Sequence, residues 1–432
     1  MPQSQQWYIR GGRVIDPATA RDETTDLFIV DARLMPAPAS PPAGANIVDA
    51  RGLLVVPGLI DLHVHLREPG NEAAETVATG CAAAARGGFV TVVAMPNTTP
   101  PMDTPAAVRD LSARAAAAGS VRVLPAACIT RGRQGRELAD LSSLADAGAV
   151  AFTDDGASVP EEALMREAML TAAALRRPIF DHAEDQTLAG SGVMHAGTYA
   201  RRWELPGIPP EAETTMVARD LRLAESTGCA LHLQHLSCGE SVRLLRDARR
   251  RGLRVSAEVT PHHLALTEAN VWPDDARYKM NPPLRSREDR SALLAAVADG
   301  TIPALATDHA PHTAEAKRTD FRRAPFGVIG LETAVAVTHT VLVEPGVMGL
   351  VEWVQRWTLG PAAILGLPVP SLRPGTPADL TILDVTTRWT IRSREFVSKS
   401  RNTPFEGWTV TGRVMWTFRD GQPIWSPAGP GR

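Results

Sequence analysis

The chain has 432 residues, with 45 basic side chains against 48 acidic ones and a formal net charge of −3. That balance gives no general electrostatic case for nucleic acid or an anionic membrane as partner, and no apolar run reaches the roughly 18 residues that would span a bilayer. The length fits two to three ordinary domains, or one barrel of about 250 residues or more with a smaller appended unit. The four cysteines, Cys81, Cys128, Cys229 and Cys238, form no C-x-x-C and read as reduced thiols. The opening MPQSQQWYIRGG lacks the basic-then-apolar pattern of a secretory signal. A soluble, cytoplasmic protein is the expectation.

From residue 7 to 56 the chain consists of short apolar runs broken by turns: WYIRGGRVIDP, DLFIVDARLMP and ANIVDARGLLVVP. This texture predicts β-hairpins forming a small sheet. After Pro57, short apolar runs alternate with Ala- and Leu-rich segments carrying Glu and Arg. Eight candidate strands follow, at 59–66, 90–97, 121–129, 148–155, 177–184, 229–237, 254–263 and 302–310. Helical text lies between most of them, at 104–118, 161–175, 211–226 and 241–250. Apolar strands alternating with helices indicate a parallel sheet covered on both faces, and eight such units predict a (β/α)₈ TIM-type barrel. Pro105 suits a first helical turn. The long intervals 185–228 and 264–301 are expected to carry loops over the active face. From about 372 the strand-and-turn texture returns. The α/β chain therefore divides into residues 1–56 and 372–432, which build a smaller β-sandwich-like domain from both ends, and a barrel over 57–371.

Polar residues crowd the strand ends, where barrels of this kind place their chemistry. In PGLIDLHVHLREPG (57–70), His63 and His65 are two apart, so on a strand they share one face and can grip one ion. Strand four ends in Asp154 and Asp155, strand five in His182 and strand six in His235. Strand seven ends in His262 and His263, and strand eight offers Asp308, His309 and His312. Of the eleven histidines, only His195, His232 and His339 lie clearly away from a strand end. Histidines that merely filled a core would scatter among the helices too. Six ligands fit two ions: His63, His65 and Asp308 on one, His182 and His235 on the other, with a strand-four carboxylate bridging. Imidazole nitrogen with carboxylate oxygen suits Zn²⁺, with Mn²⁺ or Co²⁺ as substitutes. A single zinc held by His63, His65 and one carboxylate is the simpler alternative.

Arg67 follows His65 by two residues, on the same alternating face if the strand extends that far, and can clamp a substrate carboxylate through paired hydrogen bonds. Asn97 ends strand two and offers an amide donor, and His312 offers another. Plainer readings exist: Arg67 as a surface ion pair, Asn97 as a turn residue, and Asn281 as a loop-capping residue before Pro282. The charged segment 313–325 reads equally as a lid over the site or as a solvated loop.

The segments DLHVHLREPG, MPNTTP, FTDDG, DHAED, QHLS, EVTPHH, KMNPPLR, ATDHAPH and RAPFGVIGLET occur in one order across almost the whole chain. With RPGTPADLTILD and the NTPFEGW tail, they resemble the class I bacterial dihydroorotases of the amidohydrolase superfamily. The resemblance implies reversible ring closure of N-carbamoyl-L-aspartate to L-dihydroorotate, with Asp308 as the catalytic proton carrier. Many relatives bridge their metals with a carboxylated lysine on strand four. Here the lysines are only Lys279, Lys317 and Lys399, none on that strand. FTDDG fits the class I pattern, and the resemblance selects Asp155 over Asp154 as the bridge. It also assigns Asn281 and the Phe326-Gly327 backbone to the amide edge of the ring, and implies two zinc ions per subunit. With six ligands assigned, His262 and His263 are expected as supporting or packing groups, and His232 should face away from His235. A hydantoinase or allantoinase would share barrel and metals, but the Asp pair and RAPFG argue against it. A metal-free barrel serving aspartate transcarbamoylase would lack ligands that this chain retains. A homodimer, and docking of an active enzyme onto that partner, both stay open.

Overall fold

The computed structural model describes residues 5–429. Eight parallel strands follow one another in sequence order around a barrel. They are Leu59–Val64, Phe89–Ala94, Arg122–Ala127, Ala151–Phe152, Ile179–Asp181, Leu231–Leu233, Val255–Val259 and Ala304–Leu305. The first two are buried along their whole length, as strands covered by helices on one face and core on the other must be. The barrel closes where Val64 bridges His309 and His65 N donates to His309 O at 2.9 Å. Asp61 adds a side-chain clasp across the same seam. Its Oδ1 accepts from the backbone N–H groups of Thr307 (3.0 Å) and His63 (3.1 Å), and its Oδ2 accepts from Thr307 Oγ1 (2.6 Å).

Several strands are shorter than the sequence suggests. Strands four and eight have two ladder residues each, and beyond them the FTDD and LATDHA stretches keep only single ties to their neighbours, such as Thr153 N to Ala127 O (2.8 Å), Ala306 N to Val259 O (3.2 Å) and the Val64–His309 bridge. Segment 254–263 divides: Thr260 caps a short helix, Pro261–Ala265, that starts with Pro261 at its first turn. His262 and His263 therefore sit on a helix rather than on a strand end. The outer helix Pro105–Ala118 shows the expected construction. Thr104 Oγ1 accepts from Ala107 N, Val108, Leu111 and Ala115 form the buried stripe, and Gly119 ends it at φ 70°.

The chain ends interleave in one eight-stranded sheet. Strand Gln6–Asp16 runs antiparallel to Arg21–Val30 and parallel to Leu54–Pro57, which pairs antiparallel with Leu380–Thr390. Trp7, Ile9, Leu27, Ile29, Val55, Leu380, Ile382 and Phe418 form its own core. Hydrogen bonds such as Gly58 N to Asp379 O (3.0 Å) and Thr417 Oγ1 to Ala85 O (2.8 Å) dock it on the barrel. The 185–228 and 264–301 intervals carry small elements, including the paired strands Met194–His195 and Gly207–Ile208. They share a second apolar cluster with Met280, Phe321 and Phe405. No helix among the described residues is long and apolar enough to cross a membrane.

Candidate metal centre and substrate pocket

Six side chains from five strand ends converge at the barrel mouth. One group is His63, His65 and Asp155, and another is Asp155, His182 and His235; within each, the ligand atoms lie within 4.8 Å of one another. Asp155 belongs to both. Its Oδ1 is 3.2 Å from His63 Nε2, 3.6 Å from His182 Nδ1 and 3.7 Å from His235 Nε2, and its Oδ2 is 3.5 Å from His65 Nε2. Asp308 Oδ1 lies 3.0 Å from His65 Nε2 and 3.5 Å from His63 Nε2. All six are buried. Burial alone would push Asp155 up, but His63, His182 and His235 around it hold its carboxyl well below the usual range. It stays a carboxylate, the form that binds metal.

Ring tautomers follow from the outer hydrogen bonds. His63 Nδ1 lies 2.7 Å from Glu258 Oε1, and His65 Nδ1 lies 2.7 Å from Asn97 Oδ1. Each acceptor fixes the proton on Nδ1 and turns the Nε2 lone pair inward. His63 Nε2 is buried with no hydrogen-bond partner among the described residues. His182 Nδ1 and His235 Nε2 stand 2.9 Å apart, close to the roughly 3.3 Å expected between two imidazole nitrogens on one tetrahedral zinc. An orphaned buried nitrogen, two converging ring nitrogens and a shared carboxylate all fit divalent metal.

Backbone strain accompanies this convergence. Arg67, His235 and Asp308 have φ values of 61°, 29° and 46°, conformations that cost non-glycine residues roughly 1–3 kcal/mol each. Strand one ends at Val64, so Arg67 reaches the pocket through a left-handed turn rather than by the strand alternation expected from sequence. Asp154 points away from the metal groups. Its Oδ1 accepts from Ile129 N (2.9 Å) and Thr130 N (3.1 Å), which holds the preceding loop.

Above the ligands lies a cavity of about 230 Å³ lined by His65, Arg67, Asn97, Asn281, His312 and Phe326-Gly327, together with metal-site residues. All the sequence-derived substrate candidates are thus brought together. Arg67 Nε donates to Pro311 O at 3.1 Å, and no hydrogen bond within the described residues uses its terminal nitrogens. Asn97 spends its oxygen on His65, and no hydrogen bond within the described residues uses its Nδ2. Asn281 donates its Nδ2 to both oxygens of Glu184, at 3.0 and 3.1 Å, so it presents an acceptor. His312 departs from its expected donor chemistry. Its Nε2 donates to Phe326 O at 2.7 Å, and burial with nearby Arg67 pushes its pKa down to about 3. The neutral ring therefore offers a lone pair. Gly327 adopts φ 126°, and an added Cβ would meet Ala310 Cβ at 2.8 Å.

A family profile described as Dihydro-orotase-like matches residues 52–241. The dihydroorotase of Bacillus caldolyticus is 51% identical over 383 residues, covering 89% of this chain and 90% of that protein. The one from Pelotomaculum thermopropionicum is 48% identical over 417 residues, covering 96% and 97%. The chain belongs to the dihydroorotase family. Among solved structures, an L-hydantoinase (dihydropyrimidinase) from Arthrobacter aurescens superposes with a TM-score of 0.86 at 25% identity, covering 97% of this chain and 96% of that one. The dihydroorotase-family fold is thus shared with other cyclic-amide hydrolases.

Some residues of this dihydroorotase-family site escaped the sequence reading. Glu258 lies inside strand seven, reaching His63 with one oxygen and His232 Nε2 with the other at 3.1 Å. The other ring nitrogen of His232, Nδ1, sits 2.9 Å from Ser256 Oγ. Glu258 precedes His262 by four residues and carried no pattern of its own. Asn402, in the NTPFEGW tail, donates its Nδ2 to Ala310 O (3.0 Å) and Gly327 O (3.1 Å). His262 and His263 are buried beside the centre. His263 is tied to Thr260 Oγ1 (2.7 Å) and Pro282 O (2.9 Å), and burial pushes it down to about 3.

Proposed function

We propose that the chain is a two-zinc dihydroorotase that interconverts N-carbamoyl-L-aspartate and L-dihydroorotate in de novo pyrimidine synthesis. The observation that carries this reading is one carboxylate, Asp155, shared by two histidine pairs beneath a pocket with a guanidinium on its wall. His63, His65 and Asp308 would hold one ion, His182 and His235 the other, with Asp155 between them. When bound, the ions supply Lewis acidity that activates a water and polarises the ring amide carbonyl.

In the hydrolytic direction, Arg67 pairs its terminal nitrogens with the substrate carboxylate and fixes the ring against the metal groups. Asn97 Nδ2 adds a donor to the same carboxylate. Asn281 Oδ1, the His312 lone pair and the carbonyls of Phe326 and Gly327 accept from the ring N–H groups. Asp308 takes the proton of the attacking water and passes it to the ring nitrogen as the C–N bond breaks. Its Oδ1 faces the histidines, and no hydrogen bond within the described residues uses its Oδ2. In the biosynthetic direction Asp308 accepts the proton that leaves the carbamoyl nitrogen as the ring closes. The four cysteines are free and buried, in keeping with work in the reducing cytoplasm.

The test is cyclisation of N-carbamoyl-L-aspartate by zinc-loaded protein, run beside ring opening of hydantoin and allantoin. Turnover of the carbamoyl-aspartate pair alone is expected. Preference for hydantoin or allantoin would reassign the pocket.

A further inference from the structure

Lysine is rare in this chain, three residues against forty-two arginines, yet Lys279 and Lys317 are both buried, at 2% and 8% exposure. Lys317 Nζ donates to Pro325 O (2.8 Å), Ala276 O (3.0 Å) and Lys279 O (3.1 Å). Lys279 Nζ donates back across the same gap, to Phe321 O (2.7 Å) and Arg322 O (3.1 Å), and lies 4.6 Å from the Phe326 ring centroid. Gly327 N donates to Lys279 O at 3.0 Å, so that one carbonyl serves both Lys317 and the pocket wall.

Segment 313–325 keeps an exposed outer side, with residues such as Glu315, Arg318 and Arg323 in solvent, but it is pinned to 276–281 from both sides. A buried ammonium is costly unless its donors are met, and here three backbone carbonyls meet three N–H groups. The compact ammonium suits three acceptors converging on one point, whereas a planar guanidinium fork does not. Two residues beyond Lys279 stands Asn281, and directly after Pro325 stands Phe326.

We propose that Lys317 is a positioning residue, whose ammonium sets the distance between Asn281 and the Phe326-Gly327 backbone across the pocket. This rests on the reading that those groups contact the ring. Lys317 is neither one of the metal groups nor part of the cavity lining, so its effect belongs to substrate binding and not to proton transfer.

The experiment compares zinc-loaded full-length wild type, Lys317→Met, Lys317→Arg and Asn281→Ala for kcat, KM and hydrogen exchange. In Lys317→Met, KM for dihydroorotate is expected to rise about tenfold while kcat stays within about threefold. Zinc content should not change, and amide exchange should quicken at 276–281 and 326–327. Lys317→Arg is expected to raise KM in the same direction, and it keeps the test alive should the Met variant fail to fold. Wild-type KM in Lys317→Arg, or unchanged exchange in Lys317→Met, would overturn the three-way tie. Faster exchange with normal KM would overturn the positioning role if Asn281→Ala raises KM. If Asn281→Ala also leaves KM normal, the failure lies with the assigned ring contacts.

Discussion

Glu258 Oε1 lies 2.7 Å from His63 Nδ1, with both side chains fully buried. The carboxylate fixes the tautomer of one metal-facing ring and raises its basicity, and such partners typically contribute 10–100-fold in metal affinity. Glu258→Gln is therefore expected to weaken zinc binding by about that range, measured by chelator competition. Glu258→Asp, with the charge kept and the reach shortened, should fall between. Equal zinc affinity in wild type and Glu258→Gln would leave the residue a packing role only.

Asp308, the proposed proton carrier, sits on a left-handed backbone at φ 46°. Asp308→Asn keeps size and polarity but cannot carry the proton, so kcat should fall by at least about 10²–10⁴-fold. The melting temperature should stay close to that of wild type. Near-normal turnover in this variant would remove its acid–base assignment.

The free terminal nitrogens of Arg67 predict a binding defect when they are removed. Hydrogen bonds to charged groups contribute about 1.5–3 kcal/mol each, so Arg67→Met should raise KM by at least about tenfold. Burial pushes this guanidinium down to about 10, still charged at neutral pH. A KM indistinguishable from wild type would show that the carboxylate binds elsewhere.

His195 carries a pH signature separate from the metal groups. Its Nδ1 accepts from Arg285 at 3.3 Å, and burial with that neighbouring charge pushes its pKa from 6.5 down to about 4. Between those values the unfolded chain binds the extra proton and the folded chain does not. Stability from this group is therefore present above pH 6.5 and lost as pH falls towards 4. At about 1.4 kcal/mol per unit, the loss is at most about 3 kcal/mol. Urea midpoints should show the gap between wild type and His195→Gln shifting against wild type as the pH is lowered from 7 to 4.5. A gap that does not move with pH would mean that His195 titrates normally.

The barrel and the convergence of six candidate ligands at its mouth were legible because strand periodicity and strand-end chemistry are local signals. His63 and His65 lie two apart, and Asp155, His182, His235 and Asp308 each follow a short apolar run. What local signals could not carry was the partner of each ring. Glu258 pairs with His63 across 195 positions, and nothing near either residue records the match. The route of Arg67 depended on how far strand one extends: it stops three residues earlier, and a left-handed turn does what alternation would have done. His312 was read by residue type as a donor, but a neutral imidazole has one N–H, and Phe326 takes it.

The clasp made by Asn402 ties the mouth to the far end of the polypeptide. All eight staves precede residue 310, while the amide that joins Ala310 to Gly327 arrives some ninety positions later. Core side chains such as Leu342, Trp353 and Trp357 also come after that point. The pocket wall is thus built by the middle of the chain and fastened by its last stretch, so that damage near the carboxyl end reaches the mouth without touching a barrel strand.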